Sequence, residues 1–138
     1  MSQQNIDLVQ SGYAAFGRGD IPGFLSLLDA DVEWTTPGAS DVPTAGTRRG
    51  PDQVGAFFGV LSSLVDFEHF EPQAFIADGD RVVVLGVSRS KVKGGSGRSF
   101  DESWCHVFTI RDGKVAKFYE YLDTAAFAAE LKAATARA

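Results

Sequence analysis

At about 150 residues per domain, a chain of 138 residues makes one compact domain, taken as 1–138, and excludes a second. Apolar residues at 44% and charged residues at 22% are ordinary globular proportions, which excludes disorder and fibrous repeats. Thirteen basic against eighteen acidic side chains leave a net charge of −5, so no summed field draws phosphate backbones or anionic lipid, and neither nucleic acid nor a membrane is expected as a partner. The lone cysteine, Cys105, cannot form an intrachain disulfide. The opening Met1 to Asp7 lacks the basic residues and apolar run of a secretory signal, so a cytoplasmic location is expected.

Ile6, Val9, Tyr13 and Phe16 recur at helical spacing and predict a helix over 5–17, ended by Gly19 and followed by a capping Asp20. Pro22 in a first turn and the stripe Phe24, Leu25, Leu28 predict a second helix over 20–29. Val32, Trp34 and Thr36 alternate with Glu33 and Thr35 as a strand over 31–36. From Pro37 to Gly50 there is no periodicity, which predicts a long loop. Pro51-Asp52 opens a third helix over 52–65, with Val54, Phe57, Phe58 and Leu61 on one face. Strands follow over 67–77, broken by Pro72 and therefore an edge or a bulge, and over 81–92, 100–111 and 114–122. Thr124 to Ala136 is an alanine-rich closing helix. Helices segregated from antiparallel strands predict an α+β fold. Gly94-Gly95-Ser96-Gly97 lies between two strands and lacks the Lys-Ser/Thr of a phosphate cradle, so no nucleotide site is read there.

The hairpin at Asp112-Gly113 admits two registers, and one residue of slip exchanges the faces of the sheet. A two-residue turn sets Trp104, His106, Phe108 and Ile110 beside Val115, Lys117, Tyr119 and Tyr121; a three-residue loop with Gly113 at a bulge sets them beside Ala116, Phe118, Glu120 and Leu122. The second sorts apolar side chains better, gathering Trp104, Phe108, Ile110, Phe118 and Leu122 on an inner face. Glu102, His106 and Glu120 lie on that same face, where an unpaired ionisable group costs several kcal/mol. His106 and Glu120 are thus an acid/base pair suited to proton abstraction beside a carbonyl; the competing reading is a satisfied core histidine with a partly wet glutamate. Tyr13, Phe16, Trp34, Phe58, Trp104 and Phe118 are candidates for an aromatic pocket wall, with Glu102 beside them. Asp41, His69 and Arg89 are weaker candidates. Residues 69, 105 and 106 have no metal-ligand spacing, and Cys105 falls on the face opposite His106, which argues against a thiol nucleophile. Neither metal nor cofactor is implied.

Tyr13-Ala14-Ala15-Phe16 leading to Gly19-Asp20, then Asp31-Val32-Glu33-Trp34, Gly46-Thr47-Arg48-Arg49-Gly50-Pro51, Phe75 to Gly86, and Trp104 to Val115 together resemble the SnoaL-like, ketosteroid-isomerase-related family. The resemblance implies the fold of nuclear transport factor two: a cone-shaped bent antiparallel sheet against three N-terminal helices, with a short C-terminal helix, a deep apolar cavity and a homodimer formed through the sheet. At the positions of the steroid isomerases' tyrosine, aspartate base and protonated acid this chain has Gly12, Thr36 and Cys105. The polyketide-cyclase branch resembles it more closely. That branch places its acidic residue seven after the turn glycine and its histidine seven before, here Glu120, in place of aspartate, and His106. The implied function is a cofactor-free isomerase or cyclase acting on a small apolar carbonyl compound, with Glu120 expected as base and His106 as its partner, a neutral donor to the carbonyl oxygen as enolate charge develops. The alternative is a non-catalytic ligand-binding or interaction dimer, since one fold hosts both. The outer-face residues Cys105, Val107, Tyr119 and Tyr121 favour a homodimer in either case.

Overall fold

The computed structural model describes residues 2–137, their side chains through 134. Helix α1 (Ser2–Gly17) and the single-turn α2 (Ile21–Leu25) precede β1 (Leu28–Thr36) and β2 (Gly46–Arg49); α3 (Gly50–Leu64) leads into β3 (Val65–Asp78), β4 (Arg81–Val92), β5 (Ser99–Arg111) and β6 (Lys114–Leu122), and α4 (Thr124–Arg137) closes the chain. The six strands form one sheet in the order β2-β1-β6-β5-β4-β3. Helix α1 packs on β3 and β4, α3 on β1 and β2, and α2 lies against both helices, so the three helices share one face of an open, curved sheet. Val9, Val32, Val54, Val82 and Val84 are sealed between the layers.

Arg18-Gly19-Asp20 separates the first two helices. Gly19, at φ 73°, takes the left-handed conformation that glycine tolerates best, and the Asp20 N–H returns to the Ala15 carbonyl at 2.9 Å. The Asp20 carboxylate then accepts the Gly23 N–H at 2.9 Å and caps α2.

Three expectations are corrected. The second helix ends at Leu25 instead of 29, because Val115 donates its N–H to the Leu27 carbonyl and draws the chain into the sheet three residues early. The stretch from Pro37 to Gly50 is not all loop: Gly46–Arg49 pairs antiparallel with β1, a polar edge strand with no buried residue and hence no alternation to read. The Arg48 guanidinium holds the rest of that stretch through the carbonyls of Pro43 (3.0 Å) and Thr44 (2.7 Å). The sheet is not wholly antiparallel either, since β1 and β6 run parallel, Trp34 beside Phe118 and Thr35 beside Tyr119. Parallel neighbours need a long crossover, and here it is the whole of β2 through β5. The break at Pro72 is both an edge and a bulge: β3 is the last strand of the sheet, and its register slips between Pro72 and Ala74.

Candidate functional site

The site is set by the β5–β6 hairpin. Asp112 and Gly113 both have positive φ, 52° and 74°, the requirement of a two-residue type I′ turn, and Arg111 pairs with Lys114 across it. The expected three-residue loop is therefore not formed. The register slips instead between Thr109 and Ile110: Ile110 faces Val115, Thr109 faces Lys117, and the extra residue is Ala116. Val115 and Ala116 are consecutively buried, as a bulge requires. Beyond it the pairs are Phe108 with Phe118, His106 with Glu120 and Trp104 with Leu122, so the expected inner face is reached by a different device.

His106 makes hydrogen bonds through both ring nitrogens. Nε2 lies 3.0 Å from Glu120 Oε2 and Nδ1 lies 2.6 Å from the Tyr13 hydroxyl. The His106 side chain is 7% exposed and that of Glu120 23%. Opposed to a carboxylate, which only accepts, Nε2 donates; in the neutral ring Nδ1 then accepts from Tyr13. Burial, reinforced by the charge of Glu120, pushes the Tyr13 phenol above its ordinary range and keeps its proton in place. Three elements, α1, β5 and β6, thus meet in one chain of hydrogen bonds. Glu120 Oε1 accepts no hydrogen bond among the described residues.

Around this chain is a pocket of about 110 Å³, several times the space one water needs (about 10–15 Å³ on the same measure). Tyr13, Phe16, Trp34, Phe58, Glu102, Trp104, His106, Phe118 and Glu120 all line it. The Trp104 ring lies 4.1 Å from His106 and 4.9 Å from Phe70, nearly parallel to both. On the other side Trp34 stacks on Phe118 at 3.7 Å. Trp104 owes its place to Gly86, its partner across β4. A Cβ on Gly86 would come within 2.3 Å of the indole and 2.7 Å of the Glu71 carbonyl.

Four buried polar atoms on the described side chains have no hydrogen-bond partner: Trp34 Nε1, Trp104 Nε1, Glu102 Oε2 and Ser90 Oγ. An unsatisfied buried polar atom costs about 1–3 kcal/mol, and all four belong to residues of this one pocket wall. Sequence reasoning missed Ser90. The signal was the series Val82, Val84, Gly86, Ser88, Ser90 on the inner face of β4, obscured because Val83, Leu85 and Val87 make the outer face equally apolar.

The weaker candidates lie apart. Arg89 pairs with Asp101 at 2.8 Å in solvent, His69 with Glu71 at 3.2 Å, also in solvent, and Asp41 is exposed. Cys105 is half-buried on the opposite face of β5. Thr36, at the steroid isomerases' base position, donates its hydroxyl to the Thr44 carbonyl. No three His, Cys, Asp or Glu side chains among the described residues are grouped to hold a metal ion, and no described helix is long and apolar enough to cross a membrane.

The chain belongs to the SnoaL-like domain family, whose model matches residues 9–118. Its fold is NTF2-like: an NTF2-like protein from Burkholderia xenovorans LB400 superposes with a TM-score of 0.85 at 37% identity, over 95% of this chain and 98% of that one. TerC, crystallised with polyporic acid, superposes with a TM-score of 0.79 at 32% identity, over 94% and 98% of the two chains. An uncharacterised protein of Mycobacterium tuberculosis is 29% identical over 88% of this chain and 92% of its own.

Glu102 gives the site a measurable property. Burial first, then the charges of Glu120 and Asp123, push its carboxyl up from 4.5 to about 7. Because the folded value lies above the unfolded one, the stability this group contributes is fully present below pH 4.5 and is lost as the pH rises through about 7. Thermal unfolding of the wild type and Glu102→Gln between pH 4.5 and 8 will therefore diverge, the variant gaining on the wild type as the pH rises. A constant difference would show that the carboxyl is not held neutral.

Proposed function

We propose that the protein is a cofactor-free acid-base enzyme of the isomerase or cyclase kind, acting on a small apolar carbonyl compound held in the pocket. The observation that carries this reading is the Glu120 carboxylate on the pocket wall: one oxygen is fixed by His106, itself fixed by Tyr13, while the other accepts no hydrogen bond among the described residues. A positioned carboxylate with a free oxygen can take a proton from the carbon beside a carbonyl. His106 has both nitrogens occupied, so it is a positioning residue, and the oxygen of the developing enolate falls to the unpartnered indole N–H groups of Trp34 and Trp104. Desolvation by the aromatic walls strengthens those donors. The co-crystallisation of TerC with polyporic acid supports a small-molecule occupant.

Deuterium exchange at the carbon beside the carbonyl of apolar cyclic ketones such as 2-tetralone, followed by proton NMR in D2O, tests the reading without knowledge of the natural substrate. The wild type is expected to accelerate exchange. Glu120→Gln, whose amide oxygen still accepts from His106, is expected to lower the rate by about 10²–10⁴, the contribution of a general base, with ketone binding nearly unchanged. Equal exchange in both proteins would remove Glu120 as base and favour a binding protein whose pair is closed.

A second copy of this chain is proposed to cover the outer face of the sheet. There Leu85, Cys105 and Tyr121 form one cross-strand row and Val83, Val107 and Tyr119 the next. Leu85, Tyr119 and Tyr121 are 43%, 39% and 55% exposed, a contiguous apolar patch of the kind that marks an interface. Sedimentation is expected to give twice the 14.8 kDa of the chain, reduced to 14.8 kDa by Leu85→Asp with Tyr121→Asp. A wild-type species of 14.8 kDa would overturn the dimer.

A further inference from the structure

The four unpartnered polar atoms divide by chemistry. The two indoles can only donate, whereas Glu102 Oε2 and Ser90 Oγ are an acceptor and a group that both donates and accepts. These last two lie together by register. Ser88 faces Glu102 across β4 and β5 and Ser90 faces Phe100, so Ser90 and Glu102 are diagonal neighbours, and both residues line the pocket. Ser90 is 1% exposed, sealed from bulk water. Glu102 stands four residues before His106 on the same face of β5, about 13 Å along the strand at about 3.3 Å per residue. Phe127 of α4 also lines the pocket and meets Phe100, the residue opposite Ser90, at 6.3 Å between ring centres.

We propose that Glu102 and Ser90 form a second polar subsite that takes a hydroxyl of the ligand, a phenol or enol, at the end remote from the carbon acted on. A hydroxyl is the group that fits, because it donates one proton to the carboxyl oxygen while accepting from the serine. A hydroxyl meets Glu102 in either protonation state, donating to the carboxylate or accepting from the acid, whereas a carbonyl can only accept and a charged amine would have to be desolvated among the aromatic walls. The ligand is then neutral, flat and aromatic enough to lie between Trp104 and the Phe118 side of the pocket, with an oxygen function at each end. This rests on the pocket being a small-molecule site, and it adds a determinant of which molecule is accepted.

Matched probes separate the two claims. 2-Naphthol and naphthalene differ by one hydroxyl, and their dissociation constants can be read from quenching of tryptophan fluorescence. The wild type is expected to bind 2-naphthol at least tenfold more tightly than naphthalene. Glu102→Leu is expected to bring that ratio close to one while naphthalene binds as well as before, and Ser90→Ala, a change of one atom that spares the fold, to reduce it severalfold. A ratio unmoved by both variants, or a ratio near one in the wild type, would overturn the subsite while leaving the pocket a ligand site. Failure of both probes to bind would overturn the subsite and the pocket together. Deuterium exchange dependent on Glu120 stands or falls separately, since it is read from a different residue and a different event.

Discussion

A histidine buried in an apolar pocket must satisfy two nitrogens, and the rest of this structure follows from how His106 does so. An unmade hydrogen bond there costs about 1–3 kcal/mol. Tyr13 and Glu120 both reach it, and in doing so they tie the first helix to the two central strands. The aromatic rings then have fixed positions to pack against: Tyr13, His106 and Trp104 lie nearly parallel, and aromatic pairs add about 0.5–1.5 kcal/mol each beyond the area they bury. The polar chain and the aromatic walls are one construction.

The same construction decides what the pocket can do. With both nitrogens of His106 engaged, the imidazole ties the Glu120 carboxylate to the Tyr13 hydroxyl. The remaining polar capacity belongs to Glu120 Oε1, two indole N–H groups, Glu102 and Ser90. These are set in walls that otherwise offer only hydrocarbon and aromatic surface, which keeps the local dielectric low and each polar contact strong. Specificity in such a site comes from the few polar atoms, since a ligand that leaves one unmatched forfeits the energy of its desolvation.

Much of this was legible in the residues. The facing of His106 and Glu120 follows from sorting apolar side chains to one face, because any other register would bury Lys117. The bulge that delivers the register was not legible. Asp112-Gly113 supports both a two-residue turn and a bulged loop, and only the backbone shows that Ala116 is the extra residue. The parallel pairing of β1 with β6 left no trace, since side-chain alternation is the same for either strand direction. Tyr13 was visible as an apolar helix position, but its hydroxyl partner lies 93 residues away, beyond any local pattern. Ser90 and the edge strand at Gly46–Arg49 were hidden for opposite reasons, one within a strand apolar on both faces and the other in a segment with no buried face.

The central claim is that Tyr13 and Glu120 fix the proton of His106, and nitrogen-15 NMR of its imidazole ring tests it most directly. Long-range proton–nitrogen couplings distinguish the protonated nitrogen from the bare one. In the neutral ring the proton is expected on Nε2, with a hydrogen-bonded Nδ1 and a Tyr13→Phe spectrum in which Nδ1 shifts far more than Nε2. A neutral ring protonated at Nδ1, or an Nδ1 resonance indifferent to Tyr13→Phe, would contradict it.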